Sequence, residues 1–225
     1  MKNKIQAVAL ILLGFAQAGN AQTVTLKGGL NMYDMFFKAP NETYSDHTKL
    51  HPGFQAGVSV DIPIKNKFSL EPSVLFSQKG FAYANKSDMF GSTVDVTMNM
   101  YLNYIDIPLV AKLKFDVAKV KMFTTLGPYL GIGLNGTLKH KAVFTFMGDT
   151  EVDEGSEKVK WGSDANNDML KRIDYGLMAG AGVQIKAFQI GLTYGYGLAN
   201  ISSSPDLKIR NRVLGLTVGY SFGKQ

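Results

Sequence analysis

Three histidines are the side chains of this sequence best suited to acid–base chemistry near neutral pH. They are His47, His51 and His140, and His47 follows Ser45 and Asp46. A hydrolytic site needs a nucleophile, a base and a group that orients the base, and this short stretch contains all three types. The chain has no G-x-S-x-G and no H-E-x-x-H motif. The histidines are therefore candidates for an enzyme site at the rim of the fold, and solvated loop histidines are the simpler interpretation.

A second candidate site lies in the acidic segment 148–168. Asp164, Asn166 and Asp168 are spaced like the first ligands of a calcium loop, but the following glycine and the closing glutamate are missing. We therefore expect no bound metal and no cofactor. A solvated loop is the simpler interpretation, and divalent-cation contact with lipopolysaccharide is the alternative. Trp161, the only tryptophan, lies in this segment and either anchors a partner or packs on the rim.

The elements that would position these residues alternate with period two. In NYIDIPLVAKLKF, residues 103–115, one parity is apolar and the other carries Asp106, Lys112 and Lys114, as in a strand with one oily face. The same alternation recurs along the chain and predicts eight strands, at 23–37, 53–64, 67–79, 98–115, 120–139, 173–186, 188–201 and 211–222.

The connections between these strands alternate in length. Short joins fall at 65–66, 116–119 and 187, whereas long joins fall at 38–52, 80–97, 140–172 and 202–210. A meander with short turns at one end and long loops at the other is the plan of an outer-membrane barrel, and an even strand count keeps both termini on the periplasmic side.

The composition of the polar face indicates which side of the barrel meets water. A soluble barrel would carry a charged coat, but this parity is rich in glycine in the last four strands, for example at Gly127, Gly131, Gly191 and Gly215. Glycine suits the narrow lumen of a tightly curved barrel. We therefore predict an all-β fold: an eight-stranded antiparallel up-and-down transmembrane β-barrel of the outer-membrane type, with its apolar side chains in lipid.

The N-terminus predicts export. Lys2 and Lys4 precede the apolar run 7–16, and Gly19 and Ala21 offer the small residues that a signal peptidase requires. Residues 1–21 are therefore predicted to be a cleaved signal peptide, and residues 22–225 a single barrel domain in the bacterial outer membrane. No later segment is apolar for long enough to form a membrane helix.

The overall composition excludes several classes of function. The chain has 225 residues and no cysteine, which rules out disulfides, thiolate catalysis and Cys-ligated metals. Its formal charge of +6 is too small and too scattered to indicate nucleic-acid binding.

The inward parity places charged side chains in a lumen that is just wide enough for side chains to fill. Such charges must be paired. We expect Glu71 and Lys112, with Lys114 or Asp106, to form an internal salt-bridge network that plugs the barrel, with Asp61 among the charges of the polar lumen. A conducting or gating role is the alternative. The same parity also points these residues inward: Lys27, Lys121, Asp174 and Lys186.

Five features of the sequence belong together: the signal ending at Ala21-Gln22, LEPSVLFSQKG at 70–80, YLNYIDIPLVAKLKF at 101–115, LGPYLGIGL at 126–134 and the ending GLTVGYSFGKQ. In these features the chain resembles the PorT-like outer-membrane β-barrel family. The resemblance implies a barrel of about eight strands with no catalytic residues to transfer, and it raises a role as a secretion-accessory barrel.

Three functional hypotheses follow from the sequence. The first is a non-enzymatic outer-membrane barrel, structural or surface-binding, with a filled polar lumen and long extracellular loops. The second is a secretion-accessory barrel, and the third is a rim-site enzyme acting on lipid A or peptides. The expected partners are outer-membrane lipid and lipopolysaccharide, with an extracellular or secretion-machinery protein as a further candidate.

Overall fold

The computed structural model describes residues 22–40, 48–89, 92–117, 120–146 and 149–222, and most of these residues lie in β-strands. No helix in these ranges is long and apolar enough to span a membrane. The strands are β1 (Thr23–Lys38), β2 (Thr48–Lys49), β3 (His51–Lys65), β4 (Phe68–Met89), β5 (Ser92–Val117), β6 (Val120–Phe146), β7 (Asp149–Lys158), β8 (Ile173–Ile185), β9 (Phe188–Gly197) and β10 (Lys208–Phe222).

Eight of these strands form a closed antiparallel ring. Going around the wall, the order is β1, β3, β4, β5, β6, β8, β9 and β10, and β10 pairs with β1 to close it. The short strand β2 pairs with β4, and β7 pairs with β6, outside the ring. Closure leaves no unpaired strand edge in the wall, which lipid requires because it offers no hydrogen-bond partners. The predicted eight-stranded up-and-down barrel is confirmed.

The alternation along each strand separates an apolar exterior from a polar interior. Leu30, Leu126 and Leu216 are 65%, 61% and 48% exposed on the outside, whereas Lys112 and Asp174 on the inside are fully buried. Exposed leucines in this number are explained by a lipid solvent. The apolar parity therefore faces outward, as the glycine-rich inner parity predicts.

The two ends of the barrel differ. At one end, the strands join through tight turns, and Asn66 and Lys186 adopt the positive φ angles of 47° and 52° that two-residue hairpins require. At the other end, β4, β5 and β6 continue far beyond the wall, and β7 pairs along the continuation of β6. We call these the short-turn end and the long-strand end.

The long-strand end corrects the sequence analysis. Much of the predicted loops 80–97 and 140–172 is paired strand, including Asp149–Lys158, which was expected to be part of a solvated loop. The strands were missed because the apolar alternation that marks a lipid-facing strand stops where the lipid stops. Beyond that point water meets both faces, and the side chains there need no strict period.

A polar row marks this transition on the outside of the wall. Gln78 donates to Asn103, which donates to Asn135, across β4, β5 and β6. On the opposite part of the wall, Asp34 and Arg212 form a two-bond ion pair at 2.7 and 2.8 Å. Below this row the outer face is apolar, so these side chains lie at the polar boundary of the lipid.

An apolar cluster closes the lumen at the long-strand end. The segment between β7 and β8 and the segment between β9 and β10 fold back over the opening and pack against the upper wall. Its buried members are Met35, Phe81, Met100, Leu102, Tyr104, Val159, Leu170, Ala199, Ile201 and Ile209.

Candidate functional site

The first ion-pair network lies in the lumen near the short-turn end. Lys112 Nζ lies 2.7 Å from Glu71 Oε2 and 3.3 Å from Asp61 Oδ2, and Lys114 Nζ lies 2.8 Å from Asp61 Oδ2. Lys27 also contacts Glu71. These residues come from β1, β3, β4 and β5, and each occupies an inward position of its strand. The structure therefore brings Glu71, Asp61, Lys112 and Lys114 together.

Burial makes this network mutually dependent. The Lys112 side chain is fully buried, and only 4% of the side chains of Glu71 and Asp61 is exposed. A buried charge without a counter-charge carries a desolvation penalty of several kcal/mol. Each charge is therefore stabilised by the opposite charges beside it, and removing one partner destabilises the others.

A second network lies closer to the long-strand end. Lys79 Nζ lies between Asp106, at 2.8 Å, and Asp174, at 2.9 Å. Tyr129 and Asn211 donate hydrogen bonds to Asp174 at 3.1 and 3.0 Å. The residues of this second network come from β4, β5, β6, β8 and β10. The network therefore connects opposite parts of the wall.

The position of Asp106 differs from the expectation that it could join Glu71. In the register between β4 and β5, Asp106 lies opposite Leu75 and Lys112 lies opposite Ser69. Asp106 and Lys112 are therefore about 20 Å apart along β5. Lys79, its actual partner, was missed because the predicted strand ended at that residue. The parity that Lys79 shares with Glu71 was the signal that could have found it.

Two other inward charges are not buried in the lumen. Lys121 shares the parity of Phe123, which lines the lumen, but it is exposed at the short-turn end, and Lys186 is exposed in the hairpin turn itself. Water reaches both ammonium groups there, so neither needs a counter-charge in the lumen.

The space left inside the barrel is small. A cavity of about 50 Å³ is bordered by Lys27, Glu71 and Phe123, and another of about 10 Å³ by Lys79 and Asp106. A single water needs about 10–15 Å³, so these cavities hold a few waters. Within the described residues, the lumen is filled by side chains.

Trp161 forms the lid of the apolar cluster. Its ring stands edge-on to Tyr104 at 5.8 Å and lies under the Arg172 guanidinium at 5.7 Å. A side chain at Gly133 would collide with this ring, so glycine is required there for the close approach. Arg172 also donates to the carbonyls of Gly133 and Leu134. Of the two roles considered for Trp161, the structure shows packing on the rim.

The histidines do not form a catalytic arrangement in the described residues. The ring of His51 lies between Tyr33, at 5.5 Å, and Tyr101, at 5.1 Å. His140 lies on the projecting strand β6 against Gly155. Neither imidazole has a hydrogen bond or ion pair in these ranges that would orient it as a base. His47 lies outside the described residues, as do Asp46 and Ser45.

The calcium candidates fold onto their own backbone. Asp164 accepts hydrogen bonds from the Asn166 amide at 2.9 Å and from Asn167 Nδ2 at 2.6 Å, and Asp168 accepts one from the Asp164 amide at 3.0 Å. The hydrogen bond from the Asn167 side chain, followed by those from the Asn166 and Asn167 backbone amides, lowers the pKa of Asp164. No group of three His, Cys, Asp or Glu within the described ranges could hold a metal ion.

The closed ring, its apolar exterior and its paired interior define a membrane β-barrel. Residues 15–203 match the outer membrane protein beta-barrel domain family, and the chain belongs to that family. Its place is therefore the bacterial outer membrane. No curated protein matches this sequence.

Similar solved structures are small outer-membrane barrels at low identity. Ail of Yersinia pestis is 17% identical over 89% of this chain and 98% of its own, with a TM-score of 0.38. OprG of Pseudomonas aeruginosa is 13% identical over 92% and 99%, with a TM-score of 0.46. Neisserial surface protein A is 14% identical over 88% and 97%, with a TM-score of 0.40.

Proposed function

We propose that this protein is a non-enzymatic, non-conducting outer-membrane barrel whose long-strand end binds partners outside the cell. Export by a cleaved signal peptide, residues 1–21, is part of the proposal. Residues 82–89, 92–99, 139–146 and 149–158 form the part of the sheet beyond the wall, which we call the projecting sheet. The observation that carries the proposal is the contrast between a lumen filled by paired charges and a sheet that continues past the lipid boundary.

The filled lumen argues against transport through the barrel. Two ion-pair networks and the apolar cluster occupy the interior from one end to the other. A solute would have to displace buried, mutually paired charges, which is costly. The projecting sheet, by contrast, presents side chains on both faces without rearrangement.

Cysteine labelling tests the orientation, because the chain has no native cysteine. Thr150→Cys places a thiol on β7, and Lys67→Cys places one in a hairpin at the short-turn end; both sites are exposed. In intact cells, a membrane-impermeant maleimide should label Thr150→Cys alone. After permeabilisation, it should label both. Labelling of Lys67→Cys alone in intact cells would overturn the proposed surface role.

Conductance tests the lumen. Purified protein in planar bilayers should show no stepwise current, whereas regular channel openings would contradict a non-conducting barrel. The variant Trp161→Ala, which removes the lid, provides a sensitised comparison. The ion-pair networks below the lid predict that this variant also stays closed.

Two alternative functions lead to different expectations. A rim-site enzyme would need an oriented base, and neither His51 nor His140 has a hydrogen bond or ion pair among the described residues that would orient it. Substituting all three histidines should leave the lipid A mass spectrum unchanged. The secretion-accessory role stays a prediction of the sequence resemblance.

A further inference from the structure

The two faces of the projecting sheet differ in chemistry. The pairing puts Val94, Phe144 and Glu151 in one row and Val96, Ala142 and Asp153 in the next. The face that contains these rows continues the lumen side of the wall. We call it the apolar–acidic face, and its defining residues are Val94, Val96, Met98, Phe144, Phe146, Asp149, Glu151, Asp153 and Glu157.

Lipid does not explain the apolar residues on this face. Asn103 lies in the polar row at the lipid boundary, and Val94 is about 30 Å further along β5. Met98, Phe144 and Phe146 are nonetheless 38%, 46% and 54% exposed. Exposed apolar patches outside lipid commonly mark interaction surfaces.

The acidic side chains of this face have no lysine or arginine beside them among the described residues, and the His140 imidazole lies in their row. Asp149, Glu151, Asp153 and Glu157 point to the same side of β7, and no lysine or arginine among the described residues shares that side. The opposite face is mixed instead. It carries Lys86, Asp95, Lys139, Lys141 and Glu154, and Lys141 pairs with Glu154 at 3.4 Å.

The geometry of the carboxylates suits a polypeptide. Alternate residues of a strand repeat at about 7 Å, so Asp149, Glu151 and Asp153 form an evenly spaced row beside the apolar patch, and Glu157 follows after a gap at Gly155. Gly155 leaves room for the His140 ring within this row. A partner must therefore offer apolar side chains and, next to them, positive charges at a matching repeat.

We propose that the apolar–acidic face docks a polypeptide segment that carries leucine-like side chains beside lysines or arginines. The proposal rests on the proposed function, because the face must be exposed outside the cell to meet such a partner. Charge complementarity selects a cationic segment, and the patch of Met98, Phe144 and Phe146 requires an apolar component. The opposite face has Val143 beside the exposed Val152, but its charges of both signs do not favour a cationic segment.

Peptide binding to the full mature chain in phosphatidylcholine nanodiscs tests this. The probes are a fluorescent peptide in which pairs of leucines alternate with pairs of lysines, so that an extended segment offers both side chains to one face, a serine–lysine peptide of equal charge, and a leucine–glutamate peptide. Anisotropy should show tight binding of the leucine–lysine peptide only. Equal binding of the serine–lysine peptide, or an equal signal from empty nanodiscs, would overturn the proposal.

Matched variants localise the binding. The double substitution Glu151→Gln with Asp153→Asn should weaken the Kd about tenfold at low salt, since two exposed ion pairs are lost. The control, Glu154→Gln with Asp95→Asn, removes the same charge from the opposite face and should change the Kd less than about twofold. Similar losses for both doubles would show that net charge alone attracts the peptide and would refute a specific face.

The apolar component has its own matched pair. Phe144→Ser should weaken binding, whereas Val143→Ser, its neighbour on the opposite face, should not. Thr150→Cys labelling separates the two proposals. If Thr150→Cys is labelled in intact cells but the peptide does not bind, the docking face is rejected and the surface role stands. If the peptide binds but Thr150→Cys is not labelled in intact cells, the surface role is rejected.

Discussion

Glu71 and Glu151 are both glutamates on the lumen-side face of the sheet, but their surroundings are opposite. Glu71, on β4, contacts Lys112 on the neighbouring strand β5 and Lys27 on β1, and it is almost fully buried. Glu151 is exposed and has no ion pair among the described residues. Inside the ring, inward side chains of other strands supply the counter-charges. Beyond the mouth, the described strands no longer enclose a lumen. Water solvates Glu151, and under the docking proposal a cationic partner would take the place of that water.

The largest expected effect comes from breaking the lumen network. Lys112→Met leaves Glu71 and Asp61 buried with fewer counter-charges and should lower the free energy of unfolding by about 3–5 kcal/mol. Urea unfolding in lipid vesicles measures this. Adding Glu71→Leu should recover part of the loss, because the orphaned charge is removed. A loss below about 1 kcal/mol for the single variant would contradict a network that depends on pairing.

Removing the lid should have a smaller effect. Trp161→Ala deletes the ring that packs on Tyr104, but the ring is only partly buried, so we expect a loss of about 2 kcal/mol. Thermal unfolding followed by the gel mobility shift measures it. The neighbouring exposed Lys160→Ala is the control and should not move the transition.

The ion pair at the lipid boundary should contribute less again. Asp34→Asn breaks a two-bond contact with Arg212 that is partly open to solvent, and we expect a loss of about 1 kcal/mol. A double-mutant cycle with Arg212→Gln isolates the pair. A coupling energy near zero would mean that headgroups or water replace the contact at no cost.

The exposed pair on the projecting sheet should contribute least. Lys141 and Glu154 are 53% and 67% exposed, so Lys141→Gln should change the free energy of unfolding by less than about 0.5 kcal/mol. The same urea experiment measures it. A loss as large as that of Lys112→Met would show that burial does not set the strength of pairing in this protein.

The sequence predicts the wall well and the projecting sheet poorly, for one physical reason. Lipid outside and polar groups inside impose a strict alternation, so strands such as β10 can be identified from residues 211–222 alone. In β7 water meets both faces, and Asp149–Lys158 has no alternation that could reveal a strand. The chain folds there because β6 continues and supplies a hydrogen-bonding edge.

The candidate site was predictable as far as parity extends. Inward positions identify Glu71, Asp61, Lys112 and Lys114, because parity is a local property. The partner of Asp106 depends on the register between strands, which period-two alternation does not specify. The contact of Trp161 with Tyr104 depends on how a long connection folds back over the mouth, and no local pattern encodes that.

The seam between β1 and β10 has a consequence for how the molecule is made. These strands pair from Val24 with Phe222 to Lys38 with Lys208, so the first and last strands of the domain are neighbours. The ring cannot close until β10 exists, and until then β1 and β9 are open edges that can pair with other chains. Such distant pairing is slow to form. The nascent chain must therefore stay shielded from self-association through its whole synthesis, and a chain truncated before β10 should aggregate and not fold.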